Sequence, residues 1–537
     1  MPVVNPGIRR QVAGAITRLF NSAAFSAPLT HSLVPERGTG SPTFTRVDPT
    51  PRATFRDWEG VLKTVPSGCA RFEGARMVRN LLTTPENLPT GWTANTCTTT
   101  AGVSDPEGGT TAFTLTATGP VSYLFQAPTV SAGITLLASA WLRRRTGTGI
   151  VSFRTPDNVD YDITSQLTTQ WQRISPPATA PAAGPQGFLI VAITSPGDEI
   201  DIWHPQLEDV TGQADQTASE YVSVGVLSAP YHGAGVDGVE FFNTDRGGAV
   251  IPAATNTGYL AEGARTNLQI RSNLFTYWHS SGTPTLTQDT VGPDGAVSAW
   301  TITDNDPAAT EFPYFNSVLT AATYTASVFV KKTTGAQTSY PLFMVDKNPE
   351  AALCTIDTTN GVATVWTAYT GRTIQTSSAV CRSFNDDYWR VELTFLGVAG
   401  TWSTYLIPAG TTNATQATGA FDAAATGSKV LFGYQLEPGS SASTYIATEA
   451  AAVTREADVD ANPTAYNILA AASTVYLEFT PTHTPSGTIA LWGTYVDASN
   501  YTAILHDATN LIFRKRIAGS NYDATIANAF VSGTTCK

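Results

Sequence analysis

Paired carboxylates, a carboxylate-rich triplet and tryptophans are the side chains in this sequence with the chemistry to act on a ligand. Asp386-Asp387, and Glu199 with Asp201, have the composition of a glycosidase acid and its partner. Neighbours on a turn, or alternate residues along one strand, do not by themselves set two carboxyl groups across a sugar bond. We read them as solvated carboxylates and assign no catalytic residue. Asp304-Asn305-Asp306 lines up three oxygen-bearing side chains that suit a hard cation such as calcium, but ordinary turn chemistry is the default for that triplet, so no metal ligand is assigned. None of the six histidines (His31, His204, His232, His279, His483, His506) has a partner at the helical i, i+4 spacing of a zinc site, and no Gly-x-Ser-x-Gly elbow is present. No cofactor is expected.

The stretch that organises the chain is Glu262-Gly263-Ala264-Arg265-Thr266-Asn267-Leu268, with a degenerate copy at Glu73-Gly74-Ala75-Arg76-Met77-Val78-Arg79-Asn80-Leu81. Each copy is followed by a tryptophan (Trp92, Trp278), a Thr-rich alternating stretch and a Gln-Leu-Glu that carries Glu208 or Glu437. Two copies in the same order mean two modules. Arg76 and Arg265 can each hold a carboxylate such as Glu208 or Glu437 in a bidentate pair, pinning a module's entry strand to its exit strand. We read the boxes, with Glu73 and Glu262, as structural, and Asn267 as capping a turn through its side chain. Trp92 and Trp278 offer apolar planes for stacking on a pyranose ring, against the alternative that a tryptophan in an alternating pattern is core. Trp141, Trp171, Trp203, Trp300 and Trp389 sit within strand patterns and are expected inside.

At 537 residues the chain needs several cores, and no run of about 18 apolar residues is available to span a bilayer. A formal charge of −12 argues against nucleic acid, and the only basic clusters are Arg143-Arg144-Arg145 and Arg514-Lys515-Arg516. Five cysteines without metal spacing indicate neither a disulfide framework nor zinc, and no secretory h-region is readable at the start. Assembly in a reducing cytoplasm fits best.

Taken in order, residues 1–43 hold an amphipathic helix with Ile8, Val12, Ala15, Ile16, Leu19 and Phe20 at helical spacing, then a Pro/Ser/Gly-rich linker. It reads as a docking or self-association peg, or as a helix folded back on the first module. Residues 44–222 are a lead-in hairpin and a first β-sandwich; 223–457 repeat that plan, with an extra hairpin set by Asp357-Thr358-Thr359-Asn360-Gly361. Residues 458–537 open a third strand pattern with too few strands to close a sandwich. The fold class expected is all-β: tandem antiparallel sandwiches with a short N-terminal helical anchor and a partial sandwich at the C-terminal side.

At three places the chain resembles the virion appendage proteins of tailed bacteriophages, in tail fibres, head fibres and related structural proteins. They are the lead-in Ala53-Thr54-Phe55-Arg56-Asp57-Trp58-Glu59-Gly60-Val61-Leu62-Lys63-Thr64, the box at Glu262, and Gln435-Leu436-Glu437 through Tyr445. The resemblance covers about residues 45–537, strongly in the second module; the first departs from it at Met77-Val78-Arg79 and Asp209. It implies jelly-roll sandwiches similar to carbohydrate-binding modules, a concanavalin-like fold after residue 458, and a homotrimer docked on other virion proteins through the N-terminal segment. A non-enzymatic virion protein that attaches to a host-surface glycan is then expected, assembled in the host cytoplasm. The rivals are a purely architectural capsid decoration, head-fibre or collar protein, and, last, a depolymerase spike, for which no solenoid repeat is visible.

Overall fold

The computed structural model describes residues 26–27, 29–37, 42–88, 90–185, 188–225, 236–252, 255–461, 477–481, 488–507, 509–527, 534 and 536. The helix expected within residues 1–43 lies outside them, as do the first three residues of the strand expected over 474–481. Over the described residues the chain is all-β, and no helix there is long and apolar enough to cross a membrane.

Alternation makes the sandwiches. In Val151–Arg154 the valine and phenylalanine are buried while Ser152 and Arg154 are half-exposed, the period-two pattern of a strand with one face on a core. The first sandwich packs two five-stranded antiparallel sheets. One runs Gln172–Ile174, Leu136–Thr146, Glu199–Asp209, Ala112–Ala117, Cys97–Val103; the other runs Asp160–Asp162, Val151–Arg154, Phe188–Ile193, Ser122–Gln126, Thr93–Asn95. Leu115, Leu124, Leu142, Phe153 and Ile202 meet between them.

The second sandwich repeats this strand order. Its first sheet runs Tyr388–Gly397, Ala322–Lys331, Gly427–Pro438, Val297–Asp304, Thr285–Val291, with Ser377–Ser383 added outside Tyr388–Gly397. Its second runs Glu350–Asp357, Tyr340–Lys347, Gly400–Thr411, Phe312–Leu319, His279–Ser281, with Val362–Val365 and Thr373–Ile374 added beside Glu350–Asp357. Every strand of the first sandwich's two five-stranded sheets therefore has a counterpart at the same place in chain order and sheet order. The additions come from one insertion after Asp357.

Beneath the sandwiches the lead-ins share a core of their own. Arg76–Arg79 pairs with Val239–Phe242, Phe72–Glu73 with Gly258–Tyr259, Arg265–Asn267 with Val453–Arg455, and Thr43–Thr45 with Val459–Ala461. Phe55, Phe72 and Phe241 are buried there, with Phe72 and Phe241 ring centroids 5.0 Å apart. Beside this core lies an ion network. Arg46 donates to Asp48 at 2.9 Å and to Asp458 at 2.8 Å; Arg71 donates to Glu262 at 2.9 Å and also to Asp458; Arg455 lies 3.4 Å from Glu262. Three guanidinium groups face three carboxylates, so the buried charge sums to zero.

The hairpin of Thr54–Arg56 and Leu62–Thr64 is wedged between the sandwiches. Leu62 packs against Phe329, Phe432 and Tyr388 of the second, while Lys63 Nζ donates to the Thr211 carbonyl and Glu59 accepts from the Ala214 N–H beyond the first. Gly212 and Gly295 touch at the same seam. Both have positive φ (+71° and +77°), and a Cβ on Gly295 would fall 2.4 Å from the Gly212 Cα, so no side chain fits at either. Farther along the chain, Ile489–Asp497, Asn500–His506, Asn510–Ile517 and Ser520–Ala527 form a four-stranded antiparallel meander.

Candidate functional site

The insertion after Asp357 builds up one side of an open groove on the second sandwich. In the sheet that holds Phe312–Leu319 and Gly400–Thr411, alternate residues point away from the main core. Phe312, Leu342, Met344, Leu353 and Ile407 form a second apolar layer there. Trp366, fully buried, seals half of that layer and donates its indole N–H to Thr355 Oγ1 at 2.8 Å. The insertion is tied down by Thr367 and Thr370, whose N–H groups donate to the Ala417 and Gly419 carbonyls at 2.8 Å. Its Tyr369 stacks on Phe421, from the loop after Gly400–Thr411, to make a wall with ring centroids 4.9 Å apart.

Beside that wall the sheet stays open as a groove of about 630 Å³. Five aromatic rings line it: Phe312, Tyr314 and Tyr405 on the floor, Tyr369 and Phe421 at the side. The polar lining is Ser281, Thr310, Asn316 and Ser403, all neutral, with Ser403 Oγ donating to Asn316 Oδ1 at 2.7 Å. Tyr314 stands edge-on to Tyr405 at 5.8 Å, so the floor rings are in contact but turned to different directions. Next to the groove Asp346 is held by Arg372 and accepts from the Tyr405 hydroxyl at 3.3 Å. Burial first, and then the Asp346 charge, push the Tyr405 hydroxyl up to about 12, so it stays a neutral donor at ordinary pH. Flat rings interleaved with neutral donors and acceptors suit a polyol ring with one apolar face and a hydroxyl rim.

The tryptophans expected to stack on sugar do not reach any such surface. Trp92 is 8% exposed in the first core and Trp278 6% exposed in the second, where it packs on Phe275 at 5.0 Å. This corrects the sugar-stacking reading of both. Each sits immediately before the strand that follows its box, with the indole in the core cluster of its sandwich. The residues that do line the groove went unread because Phe312-x-Tyr314-x-Asn316 and Ser403-x-Tyr405 alternate like any strand. The signal was that both faces of these strands are uncharged, which is unusual unless something covers or uses the second face.

The box motifs form a clasp that is repeated nearly bond for bond. Asn80 Oδ1 accepts from the Leu82 N–H at 3.1 Å and the Leu207 N–H at 3.2 Å; Asn267 Oδ1 accepts from Gln269 at 3.1 Å and Leu436 at 3.0 Å. Glu208 accepts from the Ser219 N–H at 2.9 Å, and Glu437 from the Ser443 N–H at 2.9 Å. The expected arginine partners differ. Arg76 donates from Nη2 to both carboxylate oxygens of Glu220, at 2.6 and 2.7 Å, rather than to Glu208. Arg265 donates to the Pro438 carbonyl rather than to Glu437. Gln206 and the Ser219 N–H donate to Glu208, and the N–H and hydroxyl of Ser443 donate to Glu437, so each carboxylate is hydrogen-bonded without its box arginine. Glu73 pairs with Arg56 at 3.1 Å, while Glu262 enters the ion network.

The other candidates are occupied locally. Arg143 donates to Asp201 at 2.7 Å, Arg144 to Asp198 at 3.3 Å, and Arg145 lies 3.6 Å from Glu199, so the basic cluster and the carboxylate pair neutralise each other. Arg514 is bidentate with Asp523, at 2.8 and 2.7 Å. Asp386 and Asp387 are exposed on a turn. Asp304 accepts from the Asp306 and Glu311 N–H groups at 3.2 and 3.0 Å, as a turn carboxylate. Among the described residues no three His, Cys, Asp or Glu side chains are grouped to hold a metal ion.

No protein-family model matches the chain, and no curated protein matches it. Among solved structures, the N-terminal CBM22-1–CBM22-2 tandem domain of Paenibacillus barcinonensis Xyn10C is similar at 10% identity, over 69% of this chain and 98% of that one, with a TM-score of 0.21. Hazelnut (Corylus avellana) vicilin is similar at 8% identity, over 65% and 84%, with a TM-score of 0.09. Superpositions this loose carry no argument about this chain.

Proposed function

We propose that this chain is a non-catalytic attachment protein of a virion appendage, which holds a neutral surface glycan in the aromatic groove of its second sandwich. The observation that carries the glycan is the groove's lining, five rings with four neutral polar side chains and no charged group. Each sugar ring would lay its apolar face on Tyr314 or Tyr405 and direct hydroxyls to Asn316 and Ser403. The virion part rests on the sequence resemblance at 53–64, 262–268 and 435–445. In that setting the N-terminal segment binds other virion proteins, and several copies, three by the resemblance, multiply a weak single contact.

The test is a neutral- and acidic-glycan array with the full chain, followed by calorimetric titration of the best ligand. We expect neutral glycans to be retained, and Tyr314→Ala and Tyr405→Ala each to weaken binding about 10-fold, roughly 1.4 kcal/mol. Retention of no glycan, or variants that bind like the parent chain, would remove the groove from the mechanism.

A further inference from the structure

The sheets that carry the clasp each have an outer side, and the two outer sides hold matching side chains in matching register. In the second sandwich Phe329 faces Phe432 on one neighbouring strand and Arg390 on the other. In the first, Trp141 faces Trp203 and Arg173. Each strand pair bulges at the same point, between Ser327 and Phe329 and between Ser139 and Trp141. The residue after each facing aromatic has a positive φ, +61° at Gly433 and +48° at His204. A cation covers the next ring in both: Lys331 lies 5.4 Å from the Tyr388 centroid, and Arg143 4.6 Å from that of Trp171. Trp141, Trp171 and Trp203 therefore stand where Phe329, Tyr388 and Phe432 stand.

The two sets differ in cover. Leu62, from the hairpin of the first lead-in, seals the second sandwich's set, leaving Phe329 and Tyr388 1% exposed. On the first sandwich Trp203 is 5% exposed beneath the stacked His204 ring, but Trp141 and Trp171 remain half-buried, and the Trp171 indole N–H has no acceptor among the described residues. The second lead-in meanwhile carries its own copy of the plug. Asp245 Oδ1 accepts from the Gly247 and Ala249 N–H groups at 2.9 and 2.8 Å, as Asp57 Oδ1 does from Glu59 and Val61 at 3.0 and 2.8 Å. Val250 bridges Thr244 as Leu62 pairs with Arg56. Leu62 is 8% exposed, whereas Val250 is 76% exposed. Within one chain plug and socket stay apart, because Arg246 ties this hairpin to Gln213 and Asp215 with Val250 in solvent.

We propose that the unused plug and the unused socket mate between copies: the 244–250 hairpin of one chain seats Val250 on the Trp141–Trp171–Trp203 side of the first sandwich of the next. The filled contact at Leu62 supplies the template for the empty one. Plug and socket are different surfaces, so the contact is heterologous and runs head to tail, closing into a ring where the rotation allows.

Sedimentation velocity of the full chain over a concentration series tests this. We expect the parent chain to associate, and Val250→Asp and Trp141→Asp each to lose association. An equimolar mixture of the two variants should give dimers and nothing larger, since each supplies one intact half. Val250→Asp alters a solvent-exposed side chain, so its effect does not depend on folding. A parent chain that stays monomeric overturns the proposal. Association that survives Val250→Asp while Trp141→Asp abolishes it does so too, by assigning the socket to another segment or protein, and a mixture that forms no dimer rules out head-to-tail contact.

Discussion

Two carboxyl groups set opposite pH dependences. Burial alone would raise Glu262, but Arg71 and Arg455, with the Thr444 hydrogen bonds, outweigh it and hold the group at about 2, against an ordinary 4.5. Its stabilisation is complete above pH 4.5 and is lost as pH falls through 4.5 towards 2. Asp57 is the reverse case: burial, only partly offset by Lys63 and the turn N–H groups, raises it to about 6 from 3.8. Its favourable contribution is present below pH 3.8 and lost as pH rises through 6. In melts across pH, Glu262→Gln should flatten the acid limb. Asp57→Asn keeps an acceptor for both turn N–H groups and should gain up to about 3 kcal/mol over the parent at pH 7. The sequence offered a carboxylate for each box arginine, but not the partners that the arginines take in the fold. Arg76 and Glu220 are 144 residues apart, and nothing local distinguishes Glu220 from Glu208 as the acceptor.

Among the elements, the wedged hairpin bears the most. Leu62→Ala would leave Phe329, Phe432 and Tyr388 facing a void and should cost about 2–5 kcal/mol, read by denaturant unfolding. Gly295→Ala should cost more than the ~1–2 kcal/mol of a left-handed alanine, because its methyl meets backbone; small-angle scattering should show the sandwiches moved apart. The strands themselves were legible, since alternating runs such as Val297–Asp304 follow a glycine- and aspartate-bearing turn, here Gly292-Pro293-Asp294-Gly295. The groove was not. Asp357-Thr358-Thr359-Asn360-Gly361 announces a hairpin, but the fold of the insertion over the sheet depends on Trp366 finding Thr355 and on Tyr369 finding Phe421. Those pairings cross strands, and the spacing along the chain does not encode them.

At the scale of the whole molecule, the lead-ins contact both sandwiches, at Leu62 on the second and at Thr211 and Ala214 beyond the first. Asp458→Ala would leave Arg46, Arg71 and Arg455 short of a buried counter-ion, at a cost of about 3–5 kcal/mol. Calorimetry should show one transition for the sandwiches in the parent chain and a split one in the variant. The strand pair Thr43–Thr45 with Val459–Ala461 has a further consequence for biosynthesis. The Arg46–Asp458 contact spans 412 positions, so at about 5–20 residues per second the ribosome needs roughly 20–80 s between making one end and the other. Each sandwich can condense as it emerges, but the early strand must wait as an unpaired edge until nearly all of this sequence is out. Pulse-labelled hydrogen exchange on the refolding chain should therefore find the amides that bridge Thr43–Thr45 and Val459–Ala461 among the last to gain protection.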